Sequence, residues 1–369
     1  MLIGAVVFDY HYQSLRHESH DLEVMSLALS NLQQSTIDCA DSGTALRLLT
    51  ALLATQSTPH ILTGTERLSH RPIQPLVEAL RQLGADLSDS WPLRICGPLH
   101  GSRTTIDASQ SSQFVTALML IAPTLPEGLT IELTGELTSA PYIALTEKVM
   151  LDCGVTCRRE GNAIVIPHQS YHLPHREIEA DWSNAAFFYE MVALRPSLQL
   201  QLNRLFEHSW QGDAIAQQWF EPLGVETLFN AQGARLQSKT PTTDELSYDF
   251  TNHPDLFMPL AATACGMQRS FCFSGLKNLQ HKESTRLTSM GTALRLLGFN
   301  VEVDEIDGTM SFDGQWEKPQ QEVAVDGCND HRIVMALTPL KGLVRLNIKG
   351  EEAVAKSFPN FLEQYQKTL

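Results

Sequence analysis

The chain has no long hydrophobic run and no excess of basic residues. No apolar stretch reaches the ~20 residues that a membrane-spanning helix needs. Residues 1–14 carry neither the basic segment nor the cleavage site of a signal peptide. Lys and Arg number 27 against 42 Asp and Glu, so the formal net charge is −15. This charge disfavours nucleic acid and anionic membranes as partners. We therefore expect a cytoplasmic globular protein in which any anionic ligand binds to a local cluster of cations.

The cysteines do not form a pattern that would hold a metal ion or a set of disulfides. There are seven, an odd number, and they are scattered along the chain. Cys153 and Cys157 have a loose metal-ligand spacing, but no second Cys or His pair completes a site. We therefore predict reduced thiols and no bound metal.

A repeat runs through the chain. Apolar-periodic helices are predicted within 76–87, 145–157, 217–228 and 290–303, and each is followed by a short alternating strand. The helices end at glycines in positions 84, 154, 224 and 298, so the successive spacings are 70, 70 and 74 residues. Glycine at such a position ends a helix in the left-handed conformation.

Five further segments predict buried helices. Each begins with a polar capping residue and continues almost wholly apolar, over 42–54, 111–122, 183–194, 255–266 and 330–340. Two helices and several strands in each unit predict an α/β fold of βαβαββ-like units with mixed sheets. Because free N–H groups at helix starts bind anions, several starts that converge would create an anion site. Plain N-capping is the alternative for some of them.

One charged segment, HKESTR at 281–286, comes where a helix is predicted to begin. Apolar residues recur at helical spacing over 287–297. On a helix, Lys282 and Arg286 would share a face, and Glu283 would lie one step round. Taken alone, the segment is more simply interpreted as a solvated face than as a site with two cations and a carboxylate.

The chain also contains nine short motifs: DSGTALR (41–47), LTGTERLSHRPI (62–73), SSQF (111–114), SAPYI (139–143), EADWSNAA (179–186), HPD (253–255), HKESTRL (281–287), NDHR (329–332) and AKSFP (355–359). In these motifs and their order the chain resembles the 5-enolpyruvylshikimate-3-phosphate synthases, or 3-phosphoshikimate 1-carboxyvinyltransferases. The resemblance extends from about residue 30 to the C-terminus. One such motif is weak, but nine in order at similar intervals are specific.

The resemblance implies the two-domain enolpyruvyl transferase fold, an inside-out α/β barrel whose domains each contain three βαβαββ units around buried helices. The EADWSNAA motif implies domains 1–179 and 180–369, with the active site in the interdomain cleft. The implied reaction transfers the enolpyruvyl (carboxyvinyl) group of phosphoenolpyruvate to the 5-hydroxyl of shikimate 3-phosphate and releases phosphate, in aromatic amino-acid biosynthesis. No metal or organic cofactor is required. A cytoplasmic monomer that acts on these two small anions is expected.

The resemblance assigns catalysis to residues late in the chain. Asp255 is the expected base toward the 5-hydroxyl, and Lys282 orients that hydroxyl. Glu283 is the expected proton donor to C3 of phosphoenolpyruvate, with His331 and Lys356 as helpers. Two alternatives stay open: Asp255 as the N-cap of an apolar helix, and His331 as a helix-cap residue that only orients phosphate.

The resemblance also implies two groups of binding residues. Arginine suits this task because its planar fork pairs bidentately with carboxylate or phosphate. Arg47, one turn inside a buried helix, is interpreted as structural. The expected phosphoenolpyruvate ligands are Gly43, Arg71, Gln113, Arg286, Arg332 and Lys356. The expected shikimate 3-phosphate ligands are Ser111, Ser112, Gln113, Ser139, Tyr142, Asp255, Asn278 and Lys282.

The chain departs from the family at two places. Asp41 and Ser42 stand where many members have Asn and Ala, which puts an extra carboxylate near an anion site. The family's stretch Pro-Gly-Ser-Lys-Ser…Arg, whose Lys, Ser and Arg bind substrates, has no counterpart in these 369 residues, and residues 1–14 align with the helix after it. We expect the chain as given to fold but to be nearly inactive, with one strand of the second domain absent. A start codon assigned too far downstream or a gene that lost its 5′ end would explain this, and we favour the first because every other site motif is intact.

Two other functions are weighed against this one. The UDP-N-acetylglucosamine carboxyvinyltransferases share the fold, but the PYI, KES-R and NDHR motifs match the shikimate family instead. The alternative from another class is an N-terminally truncated, catalytically impaired homologue that only binds anions. Turnover, measured together with binding of shikimate 3-phosphate, distinguishes these possibilities.

Overall fold

Two separate apolar cores organise the chain, which the computed structural model describes over residues 19–174 and 177–369. The chain divides into two units between residues 176 and 177. One core contains buried residues from Val24 to Tyr171, and the other contains buried residues from Trp182 to Tyr365. The interpretation of residues 1–14 concerns a segment outside the described residues.

In the first unit, helices and strands alternate. The helices described there are α1 His20–Ser30, α2 Gly43–Ala54, α3 Glu66–Ser69, α4 Gln74–Gln82, α5 Ser112–Ile121 and α6 Ala140–Asp152. The strands are β1 Thr36–Asp38, β2 His60–Thr63, β3 Asp86–Leu87, β4 Leu93–Cys96, β5 Arg103–Asp107, β6 Leu129–Thr134, β7 Arg158–Glu160 and β8 Ala163–Ile166.

The second unit continues the alternation and adds short 3-10 turns. Its helices are α7 Trp182–Leu194, α8 Ala216–Phe220, α9 Phe257–Gly266, α10 Arg286–Leu296, α11 His331–Leu337 and α12 Phe361–Lys367. Its strands are β9 Leu200–Asn203, β10 Val225–Asn230, β11 Gly233–Ser238, β12 Glu245–Asp249, β13 Ser270–Ser274, β14 Phe299–Asp304, β15 Thr309–Trp316, β16 Val323–Asp326 and β17 Leu346–Lys349.

Three sheets share one strand order. In β1-β2-β4-β3, β5-β6-β8-β7 and β12-β13-β15-β14, the first two strands of each repeat run parallel and the remaining pairs are antiparallel. A helix connects the two parallel strands, as a parallel pair requires, and another helix leads to the third strand. This arrangement confirms the βαβαββ unit that the sequence repeat predicts.

Two sheets of the second unit are smaller among the described residues. β9, β10 and β11 form an antiparallel sheet of order β10-β11-β9, and β16 pairs in parallel with β17. The backbone N–H of Ala180 donates to the carbonyl of Arg204 at 2.8 Å. Ala180 therefore takes the place next to β9 that Phe250, directly after β12, takes next to β13, where its N–H donates to the carbonyl of Ser274. We number the repeats 1 (β1–β4), 2 (β5–β8), 3 (Ala180 with β9–β11), 4 (β12–β15) and 5 (β16–β17).

The first strand of four repeats ends in an aspartate that shapes the turn after it. Its Oδ1 atom accepts a hydrogen bond from the backbone N–H two residues further on, which makes an Asx turn. The pairs are Asp38 with Ala40 at 2.8 Å, Asp107 with Ser109 at 2.9 Å, Asp249 with Thr251 at 2.8 Å and Asp326 with Cys328 at 2.7 Å. In repeat 3, Glu179 fulfils a related role, since its Oε1 accepts from Trp182 Nε1 at 2.8 Å and from the Phe206 N–H at 3.0 Å.

A second hydrogen bond fastens the two parallel strands together at the same end. The residue after the aspartate donates its N–H to the last residue of the second strand: Cys39 to Thr63, Ala108 to Thr134, Phe250 to Ser274 and Gly327 to Lys349. Each repeat therefore presents two neighbouring segments at the carboxyl edge of its parallel strands, where α/β sheets bind ligands. The "first loops" comprise residues 40–44, 109–113, 181–184, 251–256 and 328–332. The "second loops" comprise residues 64–71, 135–142, 205–213, 275–286 and 350–356.

The predicted helix ends and buried helices are confirmed. The glycines at 84, 154, 224 and 298 have φ values of 99°, 83°, 87° and 87°. Most residues of α2, α5, α7 and α9 and every residue of α11 are buried. The prediction is wrong in one detail, because α8 ends at Phe220, before Pro222, which cannot continue a helix.

The described residues also meet neither the requirements of a membrane-spanning helix nor those of a metal site. Within 19–174 and 177–369, no helix combines the length and the apolar character that crossing a membrane demands. The same ranges contain no group of three or more His, Cys, Asp and Glu side chains placed to hold a metal ion.

Candidate active site

All residues predicted for the site lie on the first and second loops. The first loops carry Gly43, Ser111, Ser112, Gln113, Asp255, His331 and Arg332. The second loops carry Arg71, Ser139, Tyr142, Asn278, Lys282, Glu283, Arg286 and Lys356. The repeat thus places residues that are far apart in sequence at the same edge of each sheet.

In the first unit, Gly43 opens α2 beside two arginines. A Cβ atom at position 43 would lie 3.3 Å from Nη1 of Arg47 and 3.6 Å from Nη2 of Arg71. Glycine therefore leaves the N–H groups of the helix start accessible at this point. The hydroxyl of Ser42 caps the helix by accepting from the Ala45 N–H at 3.2 Å. Guanidinium groups beside a helix N-terminus form an arrangement suited to an anion.

The extra carboxylate of this loop, Asp41, lies against α1. Its Oδ1 is 3.2 Å from Nε2 of His20. His20 is thus one partner of Asp41, the carboxylate that stands where many family members have asparagine.

Arg47 has the structural role that the sequence predicts. Its Nη1 donates to Oε1 of Gln113 at 2.6 Å and its Nη2 to the carbonyl of Pro72 at 3.3 Å. The guanidinium also lies 5.3 Å from the ring centroid of Phe114. Gln113 in turn donates from Nε2 to Oγ1 of Thr44 at 3.2 Å. Both ends of the Gln113 amide are therefore held by the protein, which fixes its orientation.

Ser139 has an unusual backbone conformation. Its φ of 55° lies in the left-handed region, which is costly for a residue other than glycine and is concentrated at functional sites. Its carbonyl accepts from the Tyr142 N–H at 3.0 Å, at the start of α6. The neighbouring Thr138 donates from Oγ1 to the carbonyl of Ser109 at 3.1 Å, which joins the second loop of repeat 2 to its first loop.

In the second unit, Arg286 lies among three carboxylates. Its Nη1 is 3.0 Å from Oδ1 of Asp255, its Nη2 is 2.6 Å from Oε2 of Glu283, and its Nε is 2.9 Å from Oδ2 of Asp330. Its side chain is only 2% exposed, and a buried charge is tolerated when it is paired in this way. Burial opposes the charged form, but Asp330, Glu283 and Asp255 together raise the pKa of Arg286 above its ordinary value.

Asp330 joins this cluster to α11. It is fully buried, and its Oδ2 accepts from Oγ of Ser284 at 2.9 Å as well as from Arg286. Its Oδ1 accepts from the Arg332 N–H at 3.0 Å and so caps the helix. Burial favours the neutral acid, but Arg286 keeps the pKa of Asp330 below its ordinary value. Sequence reasoning did not single out Asp330, although it lies inside the NDHR motif.

Arg332 connects Asp255 to the start of α7. Its Nη2 is 3.3 Å from Oδ2 of Asp255 and donates to Oγ of Ser183 at 2.9 Å. Ser183 donates to Oδ1 of Asp181, the N-cap of α7, at 2.7 Å. The first loops of repeats 3, 4 and 5 therefore meet at one place in the second unit.

Three cations keep Asp255 ionised. Burial favours its neutral form, but the charges of Arg332, Lys282 and Arg286 hold the pKa of Asp255 well below its usual range. Burial lowers the pKa of Lys282, and Asp255 opposes that change. Asp255 is therefore a carboxylate at neutral pH and a weak proton acceptor, beside the Lys282 side chain, which can orient a hydroxyl.

His331 is neutral at pH 7. Burial lowers the pKa of His331 to about 4, and the nearby charge of Arg332 acts in the same direction. Its Nδ1 is 3.8 Å from Oδ1 of Asp330 and has no hydrogen-bond partner within the described part of the chain. A neutral imidazole can relay a proton, but it cannot pair with phosphate as a cation.

The structure corrects the expected geometry of HKESTR. α10 begins at Arg286, so Lys282 and Glu283 lie in the turn before the helix and not on its face. Glu283 contacts Arg286 from that turn.

Neither Asp255 nor His331 is the side-chain cap of a helix, and a role of His331 in orienting phosphate stays a prediction. Asp255 lies in the 3-10 turn Pro254–Leu256, and neither this turn nor α9 has a side-chain cap. The cap of α11 is Asp330, which precedes His331. Asp255 and His331 therefore direct their side chains to the charged cluster and not to a helix end.

Asn278 and Lys356 lie in the 3-10 turns Lys277–His281 and Glu351–Lys356. Both side chains are partly exposed, and the second turn packs against α11. Their contacts with substrates stay predictions.

The arrangement of strands and loops defines a class of protein. An EPSP synthase from Acinetobacter baumannii matches with a TM-score of 0.70 and 22% identity, over 90% of this chain and 79% of that one. The enolpyruvyl transferase NikO from Streptomyces tendae matches with a TM-score of 0.64 and 15% identity, over 88% and 76%. At these identities the likeness concerns the fold alone. The chain has the two-domain enolpyruvyl transferase fold, which confirms the predicted fold class.

Sequence comparison identifies the family. The family model described as EPSP synthase (3-phosphoshikimate 1-carboxyvinyltransferase) matches residues 12–365. A 3-phosphoshikimate 1-carboxyvinyltransferase of Bacteroides fragilis (strain YCH46) is 37% identical over 355 residues, which cover 94% of this chain and 86% of the relative. The chain belongs to the EPSP synthase family, as its motifs predicted.

Proposed function

We propose that the chain transfers the enolpyruvyl group of phosphoenolpyruvate to the 5-hydroxyl of shikimate 3-phosphate and releases phosphate, in aromatic amino-acid biosynthesis. One observation carries the proposal: three loops bring Asp255, Lys282, Glu283, Arg286 and Arg332 together in one charged cluster. The reaction needs a base, an acid that can reverse its role, and cations for carboxylate and phosphate groups. The cluster contains each of these.

Asp255 is the proposed base. As the 5-hydroxyl oxygen attacks C2 of phosphoenolpyruvate, its proton passes to the Asp255 carboxylate. The pKa of Asp255 is depressed, so the group is ionised as a base must be. Lys282 interacts electrostatically with Asp255 and orients the same hydroxyl.

Glu283 is the proposed acid. In its protonated form it gives a proton to C3 while the new bond to C2 forms, which yields a tetrahedral intermediate and the Glu283 carboxylate. The bond from C2 to the phosphate oxygen then breaks, the leaving phosphate takes the proton that Asp255 holds, and a methyl proton returns to Glu283. Its contact with Arg286 at 2.6 Å fixes the carboxyl group. His331, neutral and in electrostatic contact with Glu283, is the proposed relay, with Lys356 as a second helper.

The arginines are proposed to hold phosphoenolpyruvate. Arg332 and Arg71 supply charge-assisted donors, and Gly43, Gln113 and Lys356 complete this set. Arg286 already donates to Asp255, Glu283 and Asp330, so it shares its charge between these carboxylates and the substrate.

Shikimate 3-phosphate is proposed to bind residues of both units. Ser111, Ser112, Gln113, Ser139 and Tyr142 of the first unit contact its phosphate and ring. The left-handed backbone of Ser139 and the fixed amide of Gln113 support this assignment, because preorganised groups lose less entropy on binding. Asp255, Asn278 and Lys282 contact the ring hydroxyls.

The proposal keeps three further expectations from the sequence: a domain boundary near residue 180, a monomeric state and a cytoplasmic location. Seven free thiols support the location, because thiols stay reduced in the cytoplasm. Gel filtration with light scattering tests the monomeric state.

The central test is phosphate release by the purified full chain, with the organic product identified by mass spectrometry. Slow release that depends on both substrates and yields 5-enolpyruvylshikimate 3-phosphate is the expected result, because the sequence predicts a low activity for the chain as given. UDP-N-acetylglucosamine in place of shikimate 3-phosphate is expected to give no product. Calorimetric binding of shikimate 3-phosphate without turnover would favour the anion-binding alternative.

A further inference from the structure

Asp213 and His253 form a buried pair that the reaction scheme does not use. Oδ1 of Asp213 is 3.3 Å from Nδ1 of His253, and the two side chains are 5% and 14% exposed. His253 stands two residues before Asp255 on the first loop of repeat 4.

The position of Asp213 in its repeat points to the site. It ends the second loop of repeat 3, residues 205–213. The second loop of every other repeat carries residues predicted to bind substrate: Arg71, Tyr142, Lys282 and Lys356 in repeats 1, 2, 4 and 5. Repeat 3 has no such assignment, and Asp213 is the buried charged residue at that place.

The surroundings hold the His253 ring in one orientation. Besides Asp213, it meets the Trp219 ring edge-on, with centroids 5.4 Å apart and planes at 82°. The backbone of His253 is also fixed, since its N–H donates to the carbonyl of Phe250 at 3.0 Å and its carbonyl accepts from the Leu256 N–H at 3.1 Å. The turn that carries Asp255 therefore begins at an anchored residue.

The charged form of Asp213 also acts on the reacting groups; burial raises the pKa of Asp213, and the contact with His253 opposes that change. Asp213 interacts electrostatically with both Asp255 and Arg332, which face each other at 3.3 Å. Removing the Asp213 side chain would therefore affect Asp255 in two ways. It would release the His253 ring, and it would change the electrostatic potential at Asp255.

We propose that Asp213 is a positioning residue that acts through His253 to fix the Asp255 carboxylate for the 5-hydroxyl of the substrate. This inference rests on the proposed function. The pair itself touches no substrate, so its loss changes the placement of the base and leaves substrate binding intact. A misplacement of ~1 Å at a reacting group costs roughly 100-fold in rate.

The test compares Asp213→Ala and His253→Ala with His253→Asn, whose amide N–H can replace Nδ1–H toward Asp213. Glu207→Gln is the matched control, an exposed carboxylate of the same loop. We expect Asp213→Ala and His253→Ala to lower kcat roughly 10- to 100-fold, with unchanged Kd for shikimate 3-phosphate in calorimetry. His253→Asn should recover much of the loss, and Glu207→Gln should match the parent chain.

Two results would overturn the inference. One is wild-type kcat in Asp213→Ala under conditions where Asp255→Asn has lost turnover. The other is a loss of kcat that merely follows the unfolded fraction at the assay temperature, with no recovery in His253→Asn.

A second readout does not depend on turnover. The carboxyl ¹³C resonance of Asp255, assigned by its absence in Asp255→Asn, should shift in Asp213→Ala and stay in place in Glu207→Gln. If the parent chain makes no product, the proposed function fails while this resonance still decides the inference. An unchanged Asp255 resonance in Asp213→Ala contradicts it.

Discussion

Asp330→Asn tests whether the buried charged cluster is held together as its contacts indicate. The asparagine keeps an oxygen that can cap α11, but it loses the charge facing Arg286 and presents an N–H₂ group to the Arg286 Nε–H and the Ser284 hydroxyl. Breaking a buried ion pair typically costs 3–5 kcal/mol, and Arg286 still retains Asp255 and Glu283. We therefore expect the free energy of unfolding of the second unit to fall by about 3 kcal/mol.

The assay is urea unfolding at pH 7, followed by tryptophan fluorescence, because four of the five tryptophans lie in the second unit. Asp326→Asn is the control. It makes the same change four residues earlier, at an exposed carboxylate that accepts a hydrogen bond from the Cys328 N–H, and should alter stability by no more than about 0.5 kcal/mol. If Asp330→Asn is no more destabilised than Asp326→Asn, the cluster does not hold α10 and α11 together and the reasoning is refuted.

Three further predictions concern other parts of the chain. Neither carboxylate oxygen of the buried Glu190 has a hydrogen-bond partner within the described ranges, and burial raises the pKa of Glu190 well above its ordinary value. Its contribution to the free energy of unfolding is full below the unfolded-state pKa of about 4.3. That contribution is lost at about 1.4 kcal/mol per pH unit as the pH rises toward the folded-state pKa. Glu190→Gln should therefore raise the melting temperature at pH 8 more than at pH 4, and a pH-independent difference would contradict this. Gly298→Ala should destabilise the protein more than Gly154→Ala in urea titrations, because the new Cβ would lie 2.0 Å from a backbone carbonyl oxygen at 298 but 3.2 Å from a ring nitrogen at 154. Both variants also have an alanine in the left-handed conformation, at a cost of about 1–2 kcal/mol. Equal losses in the free energy of unfolding would refute the steric argument. Arg332→Ala should raise the KM for phosphoenolpyruvate roughly 10- to 150-fold in steady-state assays, the equivalent of one lost charge-assisted bond of about 1.5–3 kcal/mol, and an unchanged KM would count against the assignment.

Local signals in the sequence were sufficient to predict the repeat. A glycine at the end of each helix reports a backbone conformation that other residues adopt at a cost, so its regular spacing marks the unit. Capping residues before wholly apolar segments likewise identified the buried helices. The apolar pattern predicted a longer α8 than the structure has, because the pattern continues past Pro222. The proline cannot continue the helix, and its effect outweighs the pattern.

The sequence contains the aspartates that end the first strands, but the sequence pattern alone did not predict their role in the turns. An Asp before a turn is common, and only the recurrence of Asp38, Asp107, Asp249 and Asp326 at one place in four repeats distinguishes them. Asp38, Asp107 and Asp326 each stand five residues before the buried helix that follows, whereas Asp249 stands eight residues before α9, so a search at fixed spacing would have found three of the four.

The central contacts of the cluster could not be predicted from spacing. Asp330 and Arg286 are 44 positions apart, and Asp213 and His253 are 40 apart, so no helical or strand periodicity relates them. The motif resemblance named Arg286 as a substrate ligand but did not indicate that three carboxylates surround it. Such pairings arise from tertiary packing of the loops.

Turnover of Asp255→Asn and Glu283→Gln, compared with binding of shikimate 3-phosphate to the same proteins, tests the central claim most directly. Both changes keep the shape of the side chain and remove its ability to exchange a proton. The account predicts that each lowers kcat by about 10²–10⁴-fold, the range for general acid–base groups, while Kd for shikimate 3-phosphate changes far less. If both variants keep parental kcat across the pH range, these carboxylates do not transfer protons in the reaction and the account is wrong.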